Sequence, residues 1–580
     1  MAYSTTESRG ARLTLFSSAL FVLLALTLIR LQVIEGNYYR SLSQKNRLRL
    51  INLDGPRGNM WDRHGRSLAG SRLSFNVTAV LRERPSRIKK SFERLSAILG
   101  EKSSTLETRY EKKKAGAYQS IVLAEDILLP QAIAVEEQLH LMPGLMIETK
   151  PLRTYPYAEA AAHLVGFIGP QSTEENEELE FSGYGPSDWI GRDGLERSYE
   201  SYVRGYSGGL QLEVNNRGDY SKVLGVKEPK EGRDLRLSVD AELQKYVHKK
   251  FSGRRGAVAV MELQNGGLLC LNSYPSYDPN LFASARGRKD VGKYLTDDLS
   301  PLLNRAIQGQ YPPGSIFKIV TALASLEDGK TTIASVFNCP GFAIVGGRRF
   351  RCWREGGHGP QGLTEAYAHS CDVFFYMTGL AAGPDAIHRK AVELGYSLVT
   401  GVDLPGERAG LVPSRGWKQK KLHAGWYDGD TLNFSIGQGY LQVTPLQALG
   451  MIATIATGGE KLRPHLVEDI GGVDVATRQR SEFQVTPQFL KAVKRGLEEV
   501  VNSSSGTGRL AQIEGVKVAG KTGSAETQKD QTHAWYVGYA PSDHPKIAFV
   551  VFLEFGGHGG VEAAELSNGL LMKLKELGYL

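Results

Sequence analysis

Between Arg12 and Arg30 the chain carries only apolar and small hydroxyl-bearing residues, Leu13 to Ile29. Seventeen residues span roughly 26 Å as a helix, and continuing to Ile34 gives about 33 Å, enough to cross a bilayer. No small-x-small cleavage site follows, and Leu31-Gln32-Val33-Ile34 prolongs the run, so an uncleaved anchor is expected over 13–34 behind a short tail, 1–12. Arg30 then has to snorkel to the membrane edge. Arg9 and Arg12 precede the span while Arg40, Lys45, Arg47 and Arg49 follow it, so the positive-inside rule leaves the orientation open.

Beyond Ile34 no second run is long enough to span, and the periodicity becomes that of a folded body. Phe75 to Leu81 alternates as a strand does, Lys90 to Leu99 repeats at helical spacing, and Glu107 to Tyr118 is charged and predicts an exposed helix. Ala158 to Phe167 and Gly194 to Glu200 read as further helix starts. The polar stretch from Lys227 to Asp234 marks a boundary, which divides the chain into 35–232 and 233–580. Past it, Leu235 to Val239 predicts a strand and Asp240 an N-cap for a helix through Lys250. Gly256 to Glu262 and Gly267 to Leu271 flank Gln264-Asn265-Gly266, a hairpin signal. Three more strands are expected over Val516–Ala525, His533–Tyr539 and Ile547–Leu553, as an antiparallel meander before a last helix, Gly560 to Leu577. Strands, helices, strands and a helix in that order describe an α+β domain, with helices packed on an antiparallel sheet.

The 580 residues are too many for one core, and 41% hydrophobic with 23% charged residues is ordinary globular composition. The net charge of +8 is mild and interleaved with acids, which argues against a nucleic-acid binder and fits a body facing an anionic membrane or wall.

Candidate chemistry lies at Tyr311-Pro312-Pro313-Gly314-Ser315-Ile316-Phe317-Lys318. A turn signal leads at once into a buried helix with Ser315 at its start, and helical spacing is expected to place the Lys318 amine beside the Ser315 hydroxyl. A lysine among apolar residues loses proton affinity, and a serine hydroxyl needs such a base to become a nucleophile. Two further motifs follow in order, Ser370-Cys371-Asp372 and Lys521-Thr522-Gly523. Ser370 offers a hydroxyl able to relay a proton. Lys521 supplies a fixed charge for a substrate carboxylate, Thr522 and Ser524 supply hydroxyl donors, and the Ser315 and Ser524 N–H groups are the candidate oxyanion hole.

These three motifs, with Gly401-Val402-Asp403-Leu404-Pro405-Gly406-Glu407, Asn433 to Tyr440 and Thr444-Pro445-Leu446-Gln447, resemble the transpeptidase domain of class B penicillin-binding proteins. Pro56-Arg57-Gly58, Asp62-Arg63-His64-Gly65 and Gly194-x-Glu196 resemble that family's N-terminal pedestal. The resemblance implies a penicillin-binding, serine β-lactamase-like domain on an elongated pedestal, and a serine D,D-transpeptidase. Ser315 is then the nucleophile toward a D-Ala-D-Ala stem peptide, and β-lactams are inhibitors. It also implies a single-pass protein of the inner membrane, with the N-terminus in the cytoplasm and the catalytic body outside it. The chain shows no glycosyltransferase domain, so the resemblance implies a SEDS-family membrane polymerase and elongation-complex proteins as partners. The second motif usually ends in Asn; Asp372 is similar to the elongation-type members (penicillin-binding protein 2) and is expected to act on Lys318 or Lys521 through its charge. The alternatives are a division-type transpeptidase, a carboxypeptidase or β-lactamase in which water takes the acyl group, and a scaffold or β-lactam sensor that does not turn over.

The four cysteines are Cys270, Cys339, Cys352 and Cys371. Cys270 sits in an apolar strand and reads as core. The other three surround His358, a set of three thiolates and an imidazole that suits a closed structural zinc, and some elongation-type members bind zinc near this motif. A Cys339–Cys352 disulfide is the competing reading in an oxidising compartment, and free thiols the third. No cofactor is needed for the acyl transfer itself. His248 and His465 read as structural.

Overall fold

The computed structural model describes residues 4–40, 48–79, 85–113, 121–172, 174–175, 178, 184–185, 188–214, 220–284, 287–476, 479–527 and 531–580. Its backbone forms two compact units that do not follow chain order. The first takes Met1–Pro56, Leu73–Pro151 and Gly205–Glu231; the second takes Arg57–Arg72, Leu152–Arg204 and Gly232–Leu580.

In the first unit the apolar run forms a helix, Ser4–Ile29, that loosens into a π-helical turn, Arg30–Ile34, where Arg30 pairs with Glu35 at 2.9 Å. Residues Leu13–Ile34 have a mean hydropathy of 2.1 and are long and apolar enough to cross a membrane. The alternating segment Phe75–Ala79 belongs to a longer strand, Ser67–Ala79, and pairs antiparallel with Ile121–Ile127; Leu81 lies outside the described residues. Helices Pro85–Leu99 and Ser103–Lys113 bury Phe92, Leu95, Leu106 and Tyr110 against these strands. The second of these helices was expected to reach Tyr118, and the remainder, 114–118, also lies outside the described residues. A separate antiparallel sheet orders Leu48–Leu53, Gly208–Val214 and Tyr220–Lys227.

The second unit is built on a five-stranded antiparallel sheet. Its order is Leu268–Tyr274, Gly256–Glu262, Ile547–Leu553, Thr532–Ala540 and Ala519–Glu526. The expected hairpin and meander are both present, and the C-terminal strand closes them into one sheet by pairing Val258 with Val551 and Val537 with Val550. Asp240 caps helix Ala241–Phe251 by accepting the N–H groups of Glu242 and Leu243, as its position predicts. The last helix is shorter than expected, Ala564–Glu576, because Gly559–Ala563 forms a π-helical turn before it. The stretch expected to be one helix from Ala158 breaks into a 3-10 turn, Ala158–Ala160, four helical residues, Ala162–Val165, and a strand, Ile168–Pro170, with Gly166 at a positive φ of 75° as the break.

One buried ion cluster anchors this unit's early segments. Glu196 is fully buried and accepts from Arg153 at 2.6 Å and Arg57 at 2.7 Å, and Arg57 also reaches Glu200 at 2.6 Å. Burial alone raises the Glu196 pKa, but the two guanidinium groups outweigh it and hold the carboxyl below its usual range.

Candidate active site

Gly314–Phe317 forms a 3-10 turn, and the α-helix Lys318–Glu327 begins only after it. The turn is wedged in place by close backbone contacts. Gly314 has a φ of +58°, and a Cβ there would lie 2.7 Å from the Ser524 carbonyl oxygen. Gly314 N–H donates to Gly437 O at 2.9 Å, and a Cβ on Gly437 would meet Gly314 O at 2.1 Å. Two glycines are therefore required for the turn to sit between the edge strand Ala519–Glu526 and the loop after Ser435. Ser315 is left half-buried between buried neighbours.

The expected Lys318–Ser315 contact is not made. The Lys318 amine donates to Asp372 Oδ1 at 2.6 Å, Ser370 O at 2.9 Å and Ser370 Oγ at 3.3 Å, and not to Ser315. The Asp372 carboxylate draws the ammonium toward the second motif and away from Ser315. Lys318 is fully buried, the Asp372 side chain is 13% exposed, and the Phe375 ring lies 5.4 Å from the ammonium.

Ser370 takes a left-handed backbone, φ +53°, just before the helix Asp372–Ala382. That conformation is costly for a residue with a side chain, and here it aims the hydroxyl between two lysines. Lys521 Nζ lies 2.9 Å from Ser370 Oγ, which also takes the Lys318 amine at 3.3 Å. Asp372 carries both halves of its carboxylate in use, with Oδ2 accepting the Trp353 N–H at 3.0 Å.

Lys521 is also completely buried. Its amine is pushed well below its ordinary pKa, first by burial and then by the charge on Lys318, with Asp372 opposing. A neutral Lys521 can accept the Ser370 hydroxyl proton while Ser370 Oγ accepts from Lys318, so the three groups form a chain along which a proton can move.

The other third-motif residues line the edge strand. Thr522 Oγ1 bonds Thr507 Oγ1 at 3.0 Å, and Gly523 lies against the turn, where a Cβ would be 2.9 Å from Pro313 O. Ser524 Oγ accepts the Gly559 N–H at 3.1 Å, which leaves its own proton to donate. Sequence reasoning missed Trp353 and Thr507. Thr507 lies in the turn-rich run Ser503-Ser504-Ser505-Gly506-Thr507-Gly508, whose composition marks a loop without naming its partner.

Next to this site the candidate ligand atoms of Cys339, Cys352, His358 and Cys371 all lie within 4.8 Å of one another, and no disulfide joins the described cysteines. His358 Nδ1 is 3.6 Å from both the Cys339 and Cys352 sulfurs. A hydrogen bond from Cys371 holds the Cys352 thiol pKa well below its ordinary range. Cys371 directly precedes Asp372, and Cys352 directly precedes Trp353, so the cluster holds both ends of the Trp353–Asp372 bond. Cys270 is buried in the central sheet, as expected of a core residue.

Comparison with known proteins extends over nearly the whole chain. The family described as penicillin binding protein transpeptidase domain matches residues 256–571, and that described as penicillin-binding protein dimerisation domain matches 52–237. The chain is 32% identical to the peptidoglycan D,D-transpeptidase MrdA of Haemophilus influenzae, over 93% of this chain and 87% of that one. The protein of the same name from Escherichia coli K12 is 31% identical, over 92% and 88%. Among solved structures, a complex between penicillin-binding protein PBP2 and MreC from Helicobacter pylori superposes with a TM-score of 0.82 at 31% identity, over 92% of this chain and 99% of that one. A structure described as a peptidoglycan synthase complex, coordinating polymerisation and crosslinking, gives 0.75 at 32%, over 97% of each.

Proposed function

The chain belongs to the penicillin-binding protein transpeptidase family, and from that membership we propose that it cross-links peptidoglycan stem peptides during cell elongation. The observation that supports this most is the buried chain Asp372–Lys318–Ser370–Lys521 beside the half-buried Ser315. Ser315 Oγ attacks the carbonyl of the penultimate D-Ala, forming the acyl-serine ester as the C–N bond to the last D-Ala breaks. The hydroxyl proton passes into the Lys318–Ser370–Lys521 chain and out to the departing amine, and the acceptor amine later returns a proton the same way. The Ser315 and Ser524 N–H groups carry the developing oxyanion, and Thr522 and Ser524 hydroxyls hold the terminal carboxylate. Asp372 holds the Lys318 amine in position through the 2.6 Å contact.

The apolar segment 13–34 is the membrane anchor, with 1–12 in the cytoplasm and the rest outside it; 35–232 acts as the pedestal and 233–580 as the transpeptidase domain. A SEDS-family glycosyltransferase and elongation-complex proteins are the partners in this reading. The Cys339, Cys352, His358 and Cys371 set is the zinc site. Its sulfur–nitrogen separations of 3.6 Å suit the edges of a tetrahedron with metal–ligand bonds of about 2.0–2.3 Å. These four residues would hold the metal, which would supply a structural clamp beside Trp353 and Asp372.

The reaction is tested by incubating the protein with a peptide ending in D-Ala-D-Ala and an amine-bearing acceptor peptide. Release of D-Ala together with a new amide, both lost in Ser315→Ala, is the expected result. Release of D-Ala with hydrolysis only, at any acceptor concentration, contradicts transpeptidation.

A further inference from the structure

The segment after Cys339 carries four arginines and one glutamate between 348 and 355, in the order Arg348-Arg349-Phe350-Arg351-Cys352-Trp353-Arg354-Glu355. Its first part is the return strand of a two-stranded hairpin, Phe342–Val345 paired with Arg348–Arg351. All four arginines are exposed, and among the described residues none forms an ion pair; Glu355, the nearest acid in sequence, is bonded to none of them. Elsewhere in the chain arginines do find acids, as Arg57, Arg153, Arg192 and Arg389 show. Arg349 and Arg351 lie two residues apart and so share a face, where like charges repel. An arrangement that costs stability in isolation is one that an anionic ligand would relieve.

The hairpin is also held rigidly at the reacting groups. Its return strand runs directly into Cys352 and Trp353, and the Trp353 N–H bonds Asp372 at 3.0 Å while its indole donates to His369 O at 3.0 Å. The Tyr376 hydroxyl, one turn along the helix from Asp372, donates to Arg351 O at 3.1 Å. On the other side, the Phe350 ring lies where a Cβ on Gly429 would meet it at 3.1 Å. The backbone that carries these arginines is therefore tied to the second motif of the proposed active site. Guanidinium groups match carboxylates through paired N–H donors.

We infer that this hairpin is the specificity element that grips free carboxylates of the substrate's peptide arm, upstream of the bond attacked by Ser315. The inference rests on the transpeptidase reading above. It selects an acidic peptide over the same peptide with its side carboxyls amidated, and it leaves the terminal carboxylate to the Thr522 and Ser524 hydroxyls.

The test compares two D-Ala-D-Ala peptides, one with free acidic side chains and one amidated, as substrates of the full chain. Arg348→Gln, Arg351→Gln and Arg354→Gln are made singly and together, with Arg349 kept because its guanidinium stacks 3.7 Å from the Phe342 ring. The quantity read is the ratio of kcat/KM for the acidic peptide to that for the amidated one. The triple variant is expected to lower this ratio about ten-fold or more, the size of one lost charge-assisted hydrogen bond, with partial recovery in the Arg→Lys set. Penicillin acylation reports that the variants remain folded at the site. An unchanged ratio with both peptides still turned over overturns the inference and leaves the transpeptidase reading standing. If neither peptide reacts with the wild type, that reading falls and this one with it. If the triple variant instead loses retention on phosphatidylglycerol vesicles with the ratio unchanged, the hairpin serves an anionic surface and the peptide assignment is wrong.

Discussion

Replacing Asp372 with Asn removes the charge partner of a completely buried lysine while keeping size and shape. At 2.6 Å and an effective dielectric of about 20, the gross attraction in the pair is about 6 kcal/mol, and removing one partner of such a buried pair costs about 3–5 kcal/mol net. Asn still offers one oxygen to Lys318, which restores about 1–2 kcal/mol, but its amide nitrogen cannot accept the Trp353 N–H in place of Oδ2. About 2–3 kcal/mol remains. If it is expressed in the reaction, the acylation rate constant falls about 30- to 150-fold. The pH dependence changes as well. Asp372 is the charge that holds the Lys521 pKa up against burial and Lys318, so its loss lowers that pKa further. The residual rate of Asp372→Asn therefore reaches its plateau at lower pH than the wild type. The assay is the second-order rate of labelling by a fluorescent penicillin between pH 6 and 9, with near-ultraviolet circular dichroism to show that the fold survives. A folded variant within about three-fold of wild type across that range would falsify the assigned charge role.

Lys521 binds fewer protons folded than unfolded, because its native pKa is lowered; stability therefore rises with pH from that lowered value toward 10.5, and Lys521→Met flattens this part of the profile. Melting of both proteins between pH 7 and 10 checks this, and parallel slopes contradict it. Purified protein is expected to carry about one zinc per chain, with the thiols of Cys339, Cys352 and Cys371 unreactive until a chelator removes the metal and penicillin labelling slows. Absence of metal together with oxidised thiols returns the site to the disulfide reading. Glu196→Ala leaves Arg153 and Arg57 buried without their shared acid and destabilises the second unit by about 3–5 kcal/mol in denaturant titration. A loss below about 1 kcal/mol shows that the cluster contributes no net stability.

Much of the fold is legible in the sequence because its signals are local. The Asp240 cap, the Gln264-Asn265-Gly266 hairpin and the three late strands each follow from a few neighbouring residues. The two units are harder to read, because Arg57–Arg72 and Leu152–Arg204 join the second unit through contacts across the chain, such as Arg57 and Arg153 with Glu196. Within the site, the residue types are visible as three short motifs, but their pairing is not. Lys318 meets Asp372 and Ser370 because a carboxylate 54 residues away offers its ammonium a partner and Ser370 takes a left-handed backbone, neither of which periodicity encodes. The Trp353–Asp372 bond was invisible for the same reason: it joins a backbone N–H to a side chain 19 residues away.

The central claim is that Ser315 is the group that becomes acylated. Intact-mass and peptide mass spectrometry after treatment with a penicillin tests it most directly, on the wild type, Ser315→Ala and Ser370→Ala. The account predicts one adduct per wild-type chain on the Ser315 peptide, none in Ser315→Ala, and slowed formation at the same residue in Ser370→Ala. An adduct that persists in Ser315→Ala, or that maps to Ser370, contradicts it.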